Sequence, residues 1–341
     1  MNSSYLIASY KSIISAVTEK QFNRLVAGKG IVERGAWKLE GVDAENDEIH
    51  DMGITSKGEI MIDINKQLHS IDIKTKQLVK KDQYDGLKSD DFHWYKNLLI
   101  ATELDGHMCI YKGGDLLHEI KLNFVTTQIS RNVLFALEDS ASRQLFKIEL
   151  EQLYSSNKTF DPLKAFTRVI DKVELFCASK SPSLFYYSTA DNKIHRNTVE
   201  LPLNIKGKIC CISTYTNHVI VCHAKAEVLH KATVTYDIMN IRLASVHTYT
   251  HSVNSMLDTP MDVRVDQIKR GLNIGIFASW NTRLDVVLFY KSKVHYVKEY
   301  VPQHLPDMRY NSGVLLLNQK GIMEAVVYGS PAFIHSITIS L

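Results

Sequence analysis

Seven short apolar runs recur along the chain, and their spacing narrows the possible folds more than any other feature. They begin at Ile60, Leu98, Val133, Leu184, Val219, Ile274 and Ala325. The intervals are 38, 35, 51, 35, 55 and 51 residues, with a mean of about 44. Most runs lead into a polar or glycine-containing turn, as at Asn65-Lys66-Gln67, Asp105-Gly106-His107, Asp191-Asn192-Lys193 and Gly329-Ser330-Pro331. A second short run often follows, at residues 68–73, 108–111, 145–148, 286–290 and 337–339. Short runs of β-branched and aromatic residues bounded by turn residues are strands joined as hairpins. The first run of each pair is nearly continuous rather than alternating, as in strands covered on both faces.

A period of this size, with about four strands in it, is that of a β-propeller blade. The expected fold is therefore all-β: a seven-bladed β-propeller with an N-terminal helix. Eight blades is the alternative, if residues 4–42 form a blade of their own. The last blade would use residues 313–318, 323–330 and 333–341. Its fourth strand would come from residues 35–42, with Trp37 and Leu39, closing the ring and removing a bare edge. Ahead of that strand, Leu6, Tyr10, Ile13, Ile14 and Val17 recur at helical spacing. Ser3 or Ser4 could cap such a helix and Gly28 could end it. A helix over residues 4–27 would pack on the propeller or dock on a partner; the alternative for this segment is another strand. The domain expectation is a helical segment at 1–30 and a propeller at 31–341.

The period and hairpins resemble a degenerate WD40-type propeller over about residues 31–341. Gly106-His107 is the one Gly-His pair, and no Trp-Asp pair ends a blade, so the resemblance is one of fold. It implies a rigid platform for protein assembly rather than a given activity.

Composition agrees with one large domain or two ordinary ones. Of 341 residues, 45% are hydrophobic and 23% charged. Lys and Arg number 40 against 37 Asp and Glu, for a net charge of +3. So even a balance argues against direct nucleic-acid binding, and no apolar stretch approaches the length of a membrane-spanning helix. Cys109, Cys177, Cys210, Cys211 and Cys222 are odd in number and irregular in spacing, which does not fit a disulfide framework. Lys11 breaks the apolar run that a signal peptide would need. These features imply an intracellular protein, cytoplasmic or nuclear.

The common phosphate-binding, dinucleotide, zinc-protease and nucleophile-elbow motifs do not occur. The expectation is a non-enzyme with no cofactor. A hydrolase-type site at the central channel is the alternative. Cys210, Cys211, His218, Cys222, His223 and His230 form the one concentration of soft ligands, but on a strand they diverge to both faces. Buried thiols without zinc are expected there. Asp105, Asp139, Asp191 and Asp285 read as turn residues. Lys74, Lys76, Lys80 and Lys81 read as protection of an outer strand. Acidic residues 43–51 read as a solvated linker. Residues 151–164 read as a polar insertion, and long loops are where a rigid scaffold places its specificity. The candidate protein-binding residues are Tyr154 and Ser155 on that insertion, Trp94, and the aromatic–arginine turn at Trp280 and Arg283. The expected partners are other proteins in a multi-subunit assembly, with no small-molecule substrate.

Overall fold

The computed structural model describes residues 17–43, 47–84, 87, 89–103, 105–157, 159–179, 183–215, 217–227, 231–254, 259–269, 272–279, 283–290, 293–300, 309–318, 322–330 and 332–341. Two compact units divide it. One runs from Asp47 to Leu201; the other joins Pro202–Leu341 to the N-terminal segment up to Asn46.

Each of the seven apolar runs is the second strand of a four-stranded antiparallel sheet. These second strands begin at Ile60, Leu98, Val133, Leu184, His218, Leu272 and Met323, within two residues of the starts read from the sequence. Blades 1 to 4 make up the 47–201 unit, and blades 5 to 7 the other. Two-residue turns link many of the strands. Asn65 and Lys66 both adopt positive φ, 49° and 67°, the backbone that matches the twist of a hairpin.

The first strand of every blade carries a register shift near its start. The shifts fall between Ile49 and Asp51, Ser89 and Asp91, Phe124 and Thr126, Val173 and Leu175, Ile209 and Cys211, Pro260 and Asp262, and Tyr310 and Ser312. A bulge bends its strand, sharpens the local twist and re-aims a side chain. In four cases a side chain just past the bulge reaches the first strand of the next blade. Asp51 accepts the Phe92 N–H at 2.9 Å. Asp91 accepts both the N–H and the hydroxyl of Thr127 at 3.0 Å. The Gln128 amide accepts from Ala178 N–H at 3.1 Å and donates to the Phe176 carbonyl at 3.2 Å. Arg264 donates to the Ser312 hydroxyl at 3.0 Å.

Between adjacent blades of a unit the strands bury apolar faces. Leu98, Ile100, Met108 and Ile110 of blade 2 pack against Leu134, Ala136 and Ile148 of blade 3. Fully burying such a side chain stabilises the fold by roughly 1.5–3 kcal/mol. This two-sided burial accounts for the continuous apolar runs.

Blade 7 takes its fourth strand from the N-terminal segment. Strand β1 (Ile31–Lys38) runs antiparallel to Phe333–Ile339, with Ile31 opposite Ile339 and Trp37 opposite Ile334. This is the closing strand expected from the sequence, begun a few residues earlier. With this strand in blade 7, residues 4–42 do not form a blade of their own, and the described sheets number seven.

Other expectations need correction. Helix α1 spans only Glu19–Val26. Thr18 is extended and caps it, with its hydroxyl and the Gln21 side chain forming a reciprocal capping box, so one continuous helix from residue 4 to 27 is not formed. Leu6, Tyr10, Ile13 and Ile14 lie outside the described residues. Asp51 is buried in a strand rather than solvated in a linker. Asp285 is likewise a buried strand residue, not a turn residue. Residues 151–164 are not a polar loop: helices α2 (Leu150–Ser155) and α3 (Pro162–Ala165) bury Leu150, Leu153 and Pro162.

Candidate interaction surface

Within each unit the chain itself fills several of the clefts between neighbouring blades. Between blades 1 and 2 the short turn at Asp82–Tyr84 inserts Tyr84, followed by Leu87, beside Trp94 and Tyr111. The Tyr84 ring meets that of Trp94 edge-on at 5.6 Å. Between blades 6 and 7, α1 inserts Phe22 and Leu25 into a core shared by Leu272, Leu284, Met323 and Phe333. Phe22 stacks on Tyr290 at 4.3 Å.

The cleft between blades 2 and 3 is filled by residues 150–166, with Leu153 buried and Tyr154, Phe160 and Phe166 packed around it. Two lysines hold this plug. Lys96 pairs with the Glu151 carboxylate and lies 4.2 Å above the Tyr154 ring. Lys112 donates to the Tyr154 carbonyl at 2.6 Å and lies 4.7 Å from the same ring. The Glu151 carboxylate, chiefly through its hydrogen bond, raises the Lys96 pKa above its ordinary value.

The cleft between blades 3 and 4 is open. It has a volume of about 410 Å³, within the range of ligand-sized pockets. Val133, Phe135, Val169, Ile170, Leu184 and Tyr186 supply its apolar walls. Deeper in, Leu137, Leu145, Val173 and Phe176 complete the core beneath it. Arg131, Lys147 and Glu149 stand at its border, and Asn132 donates to the Glu149 carboxylate at 3.2 Å.

The residues singled out from the sequence fall in several places. Tyr154 is half-buried beneath the two lysines. Ser155 is exposed, its hydroxyl turned back to the Glu151 carbonyl. Trp94 is half-buried against Tyr84. Arg283 donates through Nε to both oxygens of buried Asp285, at 2.8 and 2.9 Å, with its own side chain 15% exposed. Trp280 lies outside the described residues. Tyr154 and Ser155 share α2, and the structure brings no other pair of the five together. The open cleft was missed because its apolar walls come from three separate strands. The one local signal was the exposed cation in the turn Arg131-Asn132.

The five cysteines form no disulfide and are buried. Cys210 stands at the bulge of blade 5, and its hydrogen bond with Cys222 is the main cause that lowers its pKa to about 7. His223 and Asp237, 3.0 Å apart, bond onward to the Lys206 carbonyl and the Thr248 hydroxyl at 3.0 and 2.6 Å. This chain ties three neighbouring strands of blade 5 together. No helix among the described residues is long and apolar enough to cross a membrane.

Comparison with solved structures places the fold. The N-terminal domain of Nup159 matches with a TM-score of 0.60 at 9% identity, over 91% of this chain and 96% of that one. The fold is a WD40-like β-propeller. A chain of the mitotic checkpoint complex gives 0.61 at 9% identity, covering 91% and 92%. BBS1N, crystallised in complex with ARL6DN, gives 0.59 at 10%, covering 91% and 97%. No family model and no curated protein matches the sequence.

Proposed function

We propose that this propeller is a non-catalytic scaffold that holds partner proteins within a larger intracellular assembly. The observation that carries the reading is how the first strands use their polar side chains. Asp51, Asp91, Gln128 and Arg264 each hold the next blade in place. Side chains spent on rigidity offer a partner fixed shape, and a fixed surface loses little entropy on binding. Two structural neighbours support the same reading: BBS1N was crystallised with ARL6DN, and another belongs to the mitotic checkpoint complex. The proposed contacts are the exposed side of α2 at Ser155 and the turn carrying Trp280. Tyr154 on the same helix, Trp94 and Arg283 are further proposed contacts.

Affinity purification of the tagged chain from its native source, followed by mass spectrometry, tests this. A reproducible set of partners recovered at fixed ratio is the expected outcome. Turnover of a small substrate, abolished by one side-chain change that leaves the fold intact, would replace the scaffold with an enzyme.

A further inference from the structure

We propose that the open cleft between blades 3 and 4 seats an extended segment of a partner protein, one that carries an apolar or aromatic anchor beside an acidic residue. This rests on the scaffold reading and names the chemistry of one partner.

The first argument is the precedent within the same chain. The clefts between blades 1 and 2, 2 and 3, and 6 and 7 are each filled by a segment that inserts an aromatic side chain: Tyr84, Tyr154 with Phe160, and Phe22. The cleft between blades 3 and 4 has apolar walls, and no such insert lies in it among the described residues. Val169 on its wall is 39% exposed, and covering apolar surface of this kind is favourable.

The second argument is a repeated cation. Blade 2 turns from its first to its second strand at Tyr95-Lys96-Asn97-Leu98, and blade 3 turns at Ser130-Arg131-Asn132-Val133. Lys96 and Arg131 hold the same place in that turn and share a left-handed backbone, with φ of 54° and 57°. Lys96 grips its plug by charge, through Glu151, and by its position over the ring of Tyr154. Arg131 is exposed, and no ion pair or hydrogen bond of its side chain is found among the described residues. A guanidinium in that place suits a carboxylate in bidentate fashion and an aromatic face equally well.

The border charge points the same way. Lys147 is a second exposed cation on the cleft. The one carboxylate there, Glu149, is already engaged by Asn132. An occupant that pairs a carboxylate with Arg131 and sets its anchor among Val133, Phe135 and Tyr186 would reproduce the contacts of residues 150–160 one blade further on.

The test selects ligands for the full-length protein from a random-peptide display library. Enriched peptides are expected to combine an aromatic or aliphatic anchor with Asp or Glu. Arg131→Glu should weaken them by about tenfold or more, and Arg131→Lys, which keeps the charge but loses the bidentate fork, should weaken them less than Arg131→Glu does. Val169→Asp, a change at an exposed position, should also abolish binding while the melting temperature stays unchanged. Selected peptides without an acid, or peptides that bind both variants as well as the parent, would overturn the proposal. So would self-association of the chain that is lost in Arg131→Glu, since a second copy would then be the occupant. If no peptide depends on the cleft but the chain still recovers its partners, the cleft proposal fails and the scaffold reading stands. If neither is seen, both fail.

Discussion

The carboxylate of Asp91 sits where blades 2 and 3 meet and is held by groups from both. Burial works against its charge. The facing His93, with Nε2 3.3 Å away, and the Thr127 N–H and hydroxyl outweigh burial and lower its pKa to about 2. Burial also opposes a charge on His93, but Asp91, Asp51 and the Thr127 carbonyl raise its pKa above the ordinary value. Asp91 therefore contributes stability that is complete above the ordinary 3.8 and is lost as pH falls through about 2. His93 contributes below its ordinary 6.5, and that share is lost as pH rises through its raised value. The pair is strongest between these limits. Asp91→Asn should cost on the order of 1–3 kcal/mol at about pH 5. The cost should shrink toward about pH 2.5 and, more modestly, toward about pH 8. Denaturant melts of both proteins at the three pH values check this, and an unchanging difference would mean that the charges contribute nothing. Asp91 could not have been singled out from the sequence. An acidic residue in Ser89-Asp90-Asp91 looks like a turn until the bulge and the Thr127 it meets are known.

At the scale of elements, second strands were legible and, apart from Arg309–Leu317 in blade 7, first strands were not. Leu98–Glu103 and Leu184–Ser188 are buried on both faces, so they stand out as apolar runs. Ser89–Tyr95 and Phe124–Ser130 mix apolar residues with Asp, His, Thr and Gln because one side of each strand staples its neighbour. That mixture resembles a connection. The insertion at 151–164 was misread for the opposite reason. Its polar residues dominate the count, while Leu153, Tyr154, Phe160 and Phe166 fill a cleft that is not visible in the linear order. The plug should accordingly matter for folding. Leu153→Ala removes a fully buried side chain and should cost about 2–5 kcal/mol. Ser155→Ala, on the exposed side of the same helix, should change stability by less than about 0.5 kcal/mol. Thermal melts of the two variants measure the contrast. Equal and small effects would show the segment to be a tolerated surface loop.

Across the whole molecule, the N-terminal segment makes two separable contributions, and truncations can divide them. Helix α1 buries Phe22 and Leu25 between blades 6 and 7. Strand β1 pairs with Phe333–Ile339, adds an Arg34–Thr338 side-chain bond at 2.8 Å, and begins beside a Ser340 N–H to Gly30 carbonyl bond of 2.8 Å. Tyr310, His335 and Glu33 form a further chain through blade 7, with spacings of 2.7 and 3.1 Å, which links its first and last original strands to β1. Without β1, the Phe333–Ile339 strand would become a free edge whose side chains are almost all buried. A flat apolar edge of that kind recruits other chains. Removing residues 1–28 takes away α1 but leaves β1, and should lower the melting temperature by several degrees while the protein stays monomeric. Removing residues 1–42 takes away both. It should lower the melting temperature further, by about 5 °C or more, and produce aggregates visible by light scattering. The decisive comparison is between the two truncations, because only the second opens the edge. If the 1–42 deletion melts with the 1–28 deletion and stays monomeric, β1 is not what completes blade 7, and the pairing of Trp37 with Ile334 contributes nothing to holding the propeller together.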